Sequence, residues 1–194
     1  MKYDFTSILD RRGMDAIAVA PDEDPYGIAP KGEIKEGFDI IPMWVADMNF
    51  PTVPTICEAM IKRAEHPAFG YFAPREDYYE SIIRWHEMRN GVQGLEQKHI
   101  GYQNGVLGGV LSALAVLCSA GDNVLVHAFM YVGFLGEVGQ SGYHLIGSEL
   151  VKDEDGIWRM DYEDMEKKIK RFNIHTTIFC SPHNPTGRVW EREE

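Results

Sequence analysis

Long apolar runs are missing from this 194-residue chain, and the longest, Val106 to Cys118, is too short to span a bilayer as a helix. Positive charge is scarce too: 19 Lys and Arg stand against 30 Asp and Glu, for a formal net charge of −11. A surface of that sign repels nucleic-acid phosphates and anionic lipid headgroups at long range, which excludes both as partners and leaves a small molecule as the expected one. Cysteine is limited to Cys57, Cys118 and Cys180, far apart and in apolar segments, so neither a disulfide nor a metal site is expected and buried structural thiols are. The seven histidines show no metal-ligand spacing. His66, His86, His99, His127, His144 and His175 read as surface or capping residues. G-x-G-x-x-G is absent, and Asp122 precedes the next expected strand instead of following it, which excludes a dinucleotide fingerprint. The opening Met1-Lys2-Tyr3-Asp4-Phe5 has no apolar run of signal-peptide type, and the expectation is a cytosolic protein.

What is present is the composition of an ordinary globular protein, with 44% hydrophobic and 25% charged residues. Residues 1–50 are rich in Gly, Pro and Asp (Pro21, Asp22, Glu23, Asp24, Pro25, Gly27, Pro30, Gly32) and read as an arm that packs on something else. From Thr52 the pattern predicts helices over Pro54 to Ala64, Arg75 to Arg89 and Gly105 to Leu117, with a short strand at Ile100 to Gln103. Strands at Asn123 to His127 and Tyr143 to Ile146 flank a short helix near Tyr131 to Val138. An amphipathic helix at Asp161 to Arg171 and a buried strand at Thr176 to Cys180 follow. Such alternation implies an α/β fold with a mostly parallel sheet. Glu191-Arg192-Glu193-Glu194 reads as the acidic first turn of a helix whose body does not follow, so the domain is expected to be incomplete; a solvated, frayed tail is the alternative.

Three segments carry candidate chemistry. In Tyr102-Gln103-Asn104-Gly105-Val106-Leu107-Gly108-Gly109 a helix begins directly after a glycine turn, leaving free backbone N–H groups at its positive end, an anion site. Helix–strand packing accounts for Gly108 and Gly109 equally well. In Ser181-Pro182-His183-Asn184-Pro185-Thr186-Gly187 a proline restricts Asn184 at a strand's C-terminal end, where ligands of open α/β sheets bind, and a fixed carboxamide there can hydrogen-bond a phenolate-type oxygen. A simple turn residue is the alternative. Tyr131 follows another strand end and can stack on a flat ring held by the other two loops.

Taken together, Asp10-Arg11-Arg12-Gly13, Trp44-Val45-Ala46-Asp47-Met48-Asn49-Phe50, Phe69-Gly70-Tyr71, Asn104-Gly105-Val106, Tyr131 and Pro182-His183-Asn184-Pro185-Thr186-Gly187 resemble the class I/II aminotransferase-like (fold-type I) enzymes that use pyridoxal 5′-phosphate (PLP). The order is colinear over the whole chain, and the sequence is especially similar to the cystathionine β-lyase, or carbon–sulfur lyase, branch. The resemblance implies a three-layer α/β/α large domain, represented by residues 51–194 in truncated form, with residues 1–50 as arm and small-domain segment. It implies that the backbone of Gly105, Val106 and Leu107 holds the PLP phosphate, that Tyr131 stacks on the pyridine ring, and that Asn184 hydrogen-bonds the phenolic oxygen. Tyr71 would reach the phosphate of the partner subunit in a homodimer, and Val45 and Ala46 would lie beside the substrate carboxylate, with Asp47 bracing that loop or capping a local turn. His183 would be a marker of the branch and not a general base. The implied reaction releases a thiol, pyruvate and ammonia from an amino acid.

The chain departs from the family in length, at roughly half. The family's later half carries its Schiff-base lysine, the aspartate facing the pyridine nitrogen and the arginine for the substrate carboxylate. Lys2, Lys31, Lys35, Lys62, Lys98, Lys152, Lys167, Lys168 and Lys170 lie in polar contexts unlike the family's lysine setting. No catalytic residue is therefore assigned within the chain, which is expected to be inactive alone. An aminotransferase and a non-catalytic, partner-binding remnant are the alternative readings.

Overall fold

The computed structural model describes residues 3–20, 24, 27, 29, 32–38 and 41–194. Lys2 and Lys31, and Pro21, Asp22, Glu23, Pro25 and Pro30 of the arm, lie outside the described residues. The chain divides into two units, Met1–Ala73 and Pro74–Glu194.

In the first unit the two ends of the arm are joined. The Leu9 amide donates to the Asn49 carbonyl at 2.8 Å, and the Trp44 indole N–H donates to the Ala18 carbonyl at 3.3 Å; Ala16 and Ala18 are buried. Helix α1 spans Pro54–Ala64, with proline at its first position, where no N–H is needed, and Lys62 and Arg63 at its negative end. Cys57 on this helix is exposed, and Cys118 and Cys180 in the second unit are only half-buried. The expectation of three buried thiols is thus corrected: all three are free, and α1 buries none of its residues.

The second unit holds α2 (Glu76–Asn90), α3 (Gly105–Leu117), β1 (Asn123–Ala128), β2 (His144–Lys152), β3 (Trp158–Met160), α4 (Tyr162–Phe172) and β4 (Thr176–Ile178). The strands form one sheet in the order β3-β2-β1-β4. β1 pairs parallel with both β2 and β4, and β3 turns back antiparallel on β2. Central β1 is buried at Val124, Leu125, Val126 and His127, because both of its faces are covered. On one face Val124 meets Leu114 of α3 and the side chains of Phe134 and Val138. On the other, Ser148, in register with His127, donates to Asp164 of α4 at 2.6 Å. The Lys168 ammonium adds bonds to Asp164 and to the Gly147 carbonyl. Helix, sheet and helix give the three layers that the family resemblance implied.

Several elements differ from expectation. Residues 100–103 form no strand: Ile100 is locally extended, at φ −115° and ψ 114°, but a strand is a pairing and no ladder receives it. The Tyr131–Val138 helix is π-helical over Phe134–Val138. β2 runs to Lys152, well past Ile146, because the unforeseen β3 hairpins back on it through a turn held by Asp153, whose amide donates to the Ile157 carbonyl at 3.0 Å. Thr176–Cys180 pairs only as far as Ile178. Residues 191–194 make a turn and not a helix start; the Glu194 carboxylate reaches the Arg159 guanidinium at 3.0 Å, the Arg188 guanidinium at 2.5 Å and the Glu191 amide at 2.8 Å.

Candidate functional site

The anion-type turn is formed as a helix start. Gly105 has φ +78°, a conformation that L side chains rarely adopt, and its amide donates back to the Gln103 carbonyl at 2.9 Å. The chain then enters α3 with no side-chain cap from Asn104. That leaves the amides of Val106 and Leu107 at the positive end of a 13-residue helix without a cap, and Val106 is exposed. Gly108 and Gly109 have ordinary van der Waals room for a Cβ against Asn104 and Gln103, so crowding explains neither glycine.

Tyr131, three residues past the end of β1, packs at this helix start. Its ring lies edge-on to Phe134, with centroids 5.6 Å apart and planes at 88°. The ring and the Leu107 side chain meet at Gly133: a Cβ built there would stand 2.4 Å from Tyr131 Cε1 and 2.9 Å from Leu107 Cδ1. Tyr131 keeps 38% of its surface open, so part of the side chain remains accessible.

Asn184 sits in the turn after β4, the strand beside β1, and is exposed. The turn closes on itself: the His183 amide donates to the Arg188 carbonyl at 2.8 Å, and the Gly187 amide to the His183 carbonyl at 2.7 Å. His183 is buried, with Nδ1 2.9 Å from the Thr186 hydroxyl oxygen and its ring edge-on to Trp190 at 5.9 Å. A group so enclosed and engaged is a structural pin of the turn.

His127 is a correction. It is buried, neither on the surface nor at a cap, because β1 is covered on both faces; its ring lies 5.9 Å from both Phe179 and Trp190. Neither ring nitrogen has a hydrogen-bond partner among the described residues. Burial, and secondarily the charge of His183, hold its pKa below the ordinary 6.5. His99 does cap, its Nδ1 accepting from the Glu96 amide at 3.0 Å.

In the first unit Asp47 accepts from the Arg11 guanidinium at 2.7 Å, and Asn49 lies 3.4 Å from the same nitrogen. The Asp-Arg-Arg-Gly and Trp-Val-Ala-Asp segments are thereby joined, and Asp47 braces its loop from outside. Val45 is half-buried, Ala46 exposed and Tyr71 fully exposed. Of the nominated residues, the structure thus brings together Leu107 and Tyr131 and places Asn184 beyond the neighbouring strand's end.

Lys98, Lys167, Lys168 and Lys170 are paired with Glu96, Glu163, Asp164 and Glu166, and Lys152 lies over the Trp158 ring. Sequence reasoning missed Gly133, Arg11 as partner of Asp47, and buried His127. Only the last left a local signal, since Val124-Leu125-Val126 is an unbroken apolar run of the kind a two-sided strand carries.

The family model for class I and II aminotransferases matches residues 39–194. Cystathionine beta-lyase PatB of Bacillus subtilis is 34% identical over 163 residues, covering 84% of this chain and 42% of that protein. Among solved structures, the PLP-bound C-S lyase from Staphylococcus hominis superposes with a TM-score of 0.77 at 31% identity, over 99% of this chain and 46% of that one. Cystalysin from Treponema denticola, which contains a pyridoxal 5′-phosphate cofactor, gives a TM-score of 0.80 at 28% identity, over 100% and 47%. The chain spans about half the length of the curated relatives it matches.

Proposed function

The chain belongs to the class I and II aminotransferase family, and from that premise we propose that it supplies the phosphate- and ring-facing part of a PLP site in a cytosolic carbon–sulfur β-lyase. The observation that carries the proposal is that the Tyr131 ring and the Leu107 side chain converge on Gly133, Leu107 belonging to the first turn of α3, which has no side-chain cap. Those groups fit the cofactor: amides at a helix's positive end suit a dianionic phosphate, and a partly open aromatic ring suits a flat pyridine.

Gly105, Val106 and Leu107 hold the phosphate through their backbone, Gly105 by its left-handed turn and the other two by their amides. Tyr131 orients the ring. The exposed Asn184 carboxamide donates to the phenolic oxygen and stabilises its ionised form. When bound, PLP withdraws electrons from the substrate α-carbon so that a β-thiolate can leave. By the family resemblance we assign Val45 and Ala46, next to the ion-paired Asp47, to the substrate carboxylate, and Tyr71 to the phosphate of the partner subunit in a homodimer. None of the chain's lysines is assigned the Schiff-base role in this proposal, and binding without turnover is what it expects.

Titration of the full chain with PLP, followed by the cofactor's fluorescence, tests the binding; inorganic phosphate should compete, and pyridoxal without phosphate should bind more weakly. A chain that does not bind PLP defeats the proposal. Co-expression with the C-terminal half of a family-length relative should add pyruvate release from cystathionine. Amino transfer to a keto acid without pyruvate would make the protein an aminotransferase instead, the reading that the family's own description favours.

A further inference from the structure

Gly133 starts the π-helical turn with φ −60° and ψ −27°, ordinary right-handed helical values. Nothing in that backbone calls for glycine, and within a helix glycine is less stable than alanine. The reason lies in space. A Cβ there would stand 2.4 Å from Cε1 and 2.9 Å from Cζ of Tyr131, and 2.9 Å from Cδ1 of Leu107. Carbon atoms pack at about 3.5–4.0 Å, so the ring occupies the volume a methyl would take. Gly136 and Gly139, in the same helical segment, have nothing within 4 Å of a Cβ. The requirement is local to Gly133.

We propose that Gly133 is a positioning residue, the notch that lets the Tyr131 ring close against Leu107 at the start of α3. The inference rests on the reading of Tyr131 and Leu107 as parts of a PLP site. Leu107 ends in a flexible methyl that can turn aside. The ring is flat and stiff, with Phe134 already against it, so a methyl at 133 must displace the ring from its place beside Leu107. Ring face and phosphate-binding amides then no longer lie at the spacing one bound molecule requires. Glycine therefore sets the distance between two subsites while touching neither phosphate nor pyridine.

Gly133→Ala and Gly136→Ala, compared in the full chain, separate the notch from helix propensity, because the second adds the same methyl in open space. Gly133→Ala should weaken PLP binding roughly three- to tenfold, the worth of one aromatic contact. It should also raise several-fold the rate at which tetranitromethane nitrates Tyr131, read by mass spectrometry of the peptide without any cofactor. Gly136→Ala should change neither. In a Tyr131→Ala background Gly133→Ala should cost no further affinity, since the ring it displaces is gone, whereas a general folding defect would persist. Unchanged nitration, or an equal loss in the Tyr131→Ala background, overturns the notch. Faster nitration with unchanged affinity overturns the positioning role and leaves the PLP reading standing. A chain that ignores PLP before any substitution overturns that reading and this inference with it.

Discussion

Asn184 is exposed and has no hydrogen-bond partner among the described residues, so truncating it removes nothing the fold uses. Asn184→Ala should leave unfolding within about 0.5 kcal/mol of the parent. PLP affinity should fall roughly tenfold to a hundredfold, the worth of one hydrogen bond to a charged oxygen; a titration curve unchanged by the substitution would remove Asn184 from the site. His127 makes the opposite case, a residue the fold encloses and leaves without a partner. Its folded pKa lies below 6.5 through burial and then through His183, while the unfolded imidazole titrates near the ordinary value. Between the two values the unfolded chain binds more protons, so stability is complete above 6.5 and declines as pH falls toward the folded value. His127→Leu, apolar and of similar volume, should flatten that decline, measured as urea midpoints from about pH 8 down to about pH 5. Parallel pH profiles for the two proteins would show that another group is responsible. Legibility divided along the same line. The Asn184 turn and the Gly105 start were visible because proline and glycine restrict the backbone locally. Gly133 was not, since the atoms that demand it belong to Tyr131 and Leu107, and only packing brings Leu107 there.

Elements were readable where their own residues decide them. Pro54–Ala64 and Gly105–Leu117 match expectation at both ends, the first opened by proline and the second by glycine. α4 was readable by its pattern, and its start rests on one side chain: Asp161 accepts from the Asp164 amide at 2.9 Å. Asp161→Ala should therefore cost about 1 kcal/mol of stability in urea unfolding. Asp161→Asn should restore most of it, because the amide oxygen caps as well; a loss of the same size in both would move the effect from the cap to the charge. Elements that depend on a partner were the ones misjudged. β3 is three residues long and exists because β2 lies beside it, whereas residues 100–103 have an extended composition and pair with no strand among the described residues. The same dependence explains His127, whose burial comes from the strands and rings around β1 and not from its own polarity.

At the scale of the whole molecule two forces oppose each other. β4 forms one edge of the sheet, and among the described residues nothing pairs along its outer side. Large apolar side chains stand open in both units, including Met43 and Tyr71 in the first and Val106, Val116 and Phe179 in the second. An open edge and uncovered apolar surface favour association with another chain, be it a second copy or a complementary half. The net charge of −11 resists contact between like copies. Salt screens that repulsion and leaves the apolar attraction in place, so association of the purified chain should increase from low to high ionic strength, as read by sedimentation or light scattering. A surface held together by ion pairs would respond in the reverse sense. Thr177, the exposed middle residue of β4, offers a local test of the edge: Thr177→Lys places a charge where a further strand would dock and should reduce association while leaving the circular dichroism unchanged. Association that is equally strong in Thr177→Lys would assign it to the open apolar faces, and a chain monomeric at both salt concentrations would show that neither surface is sticky enough to recruit a partner.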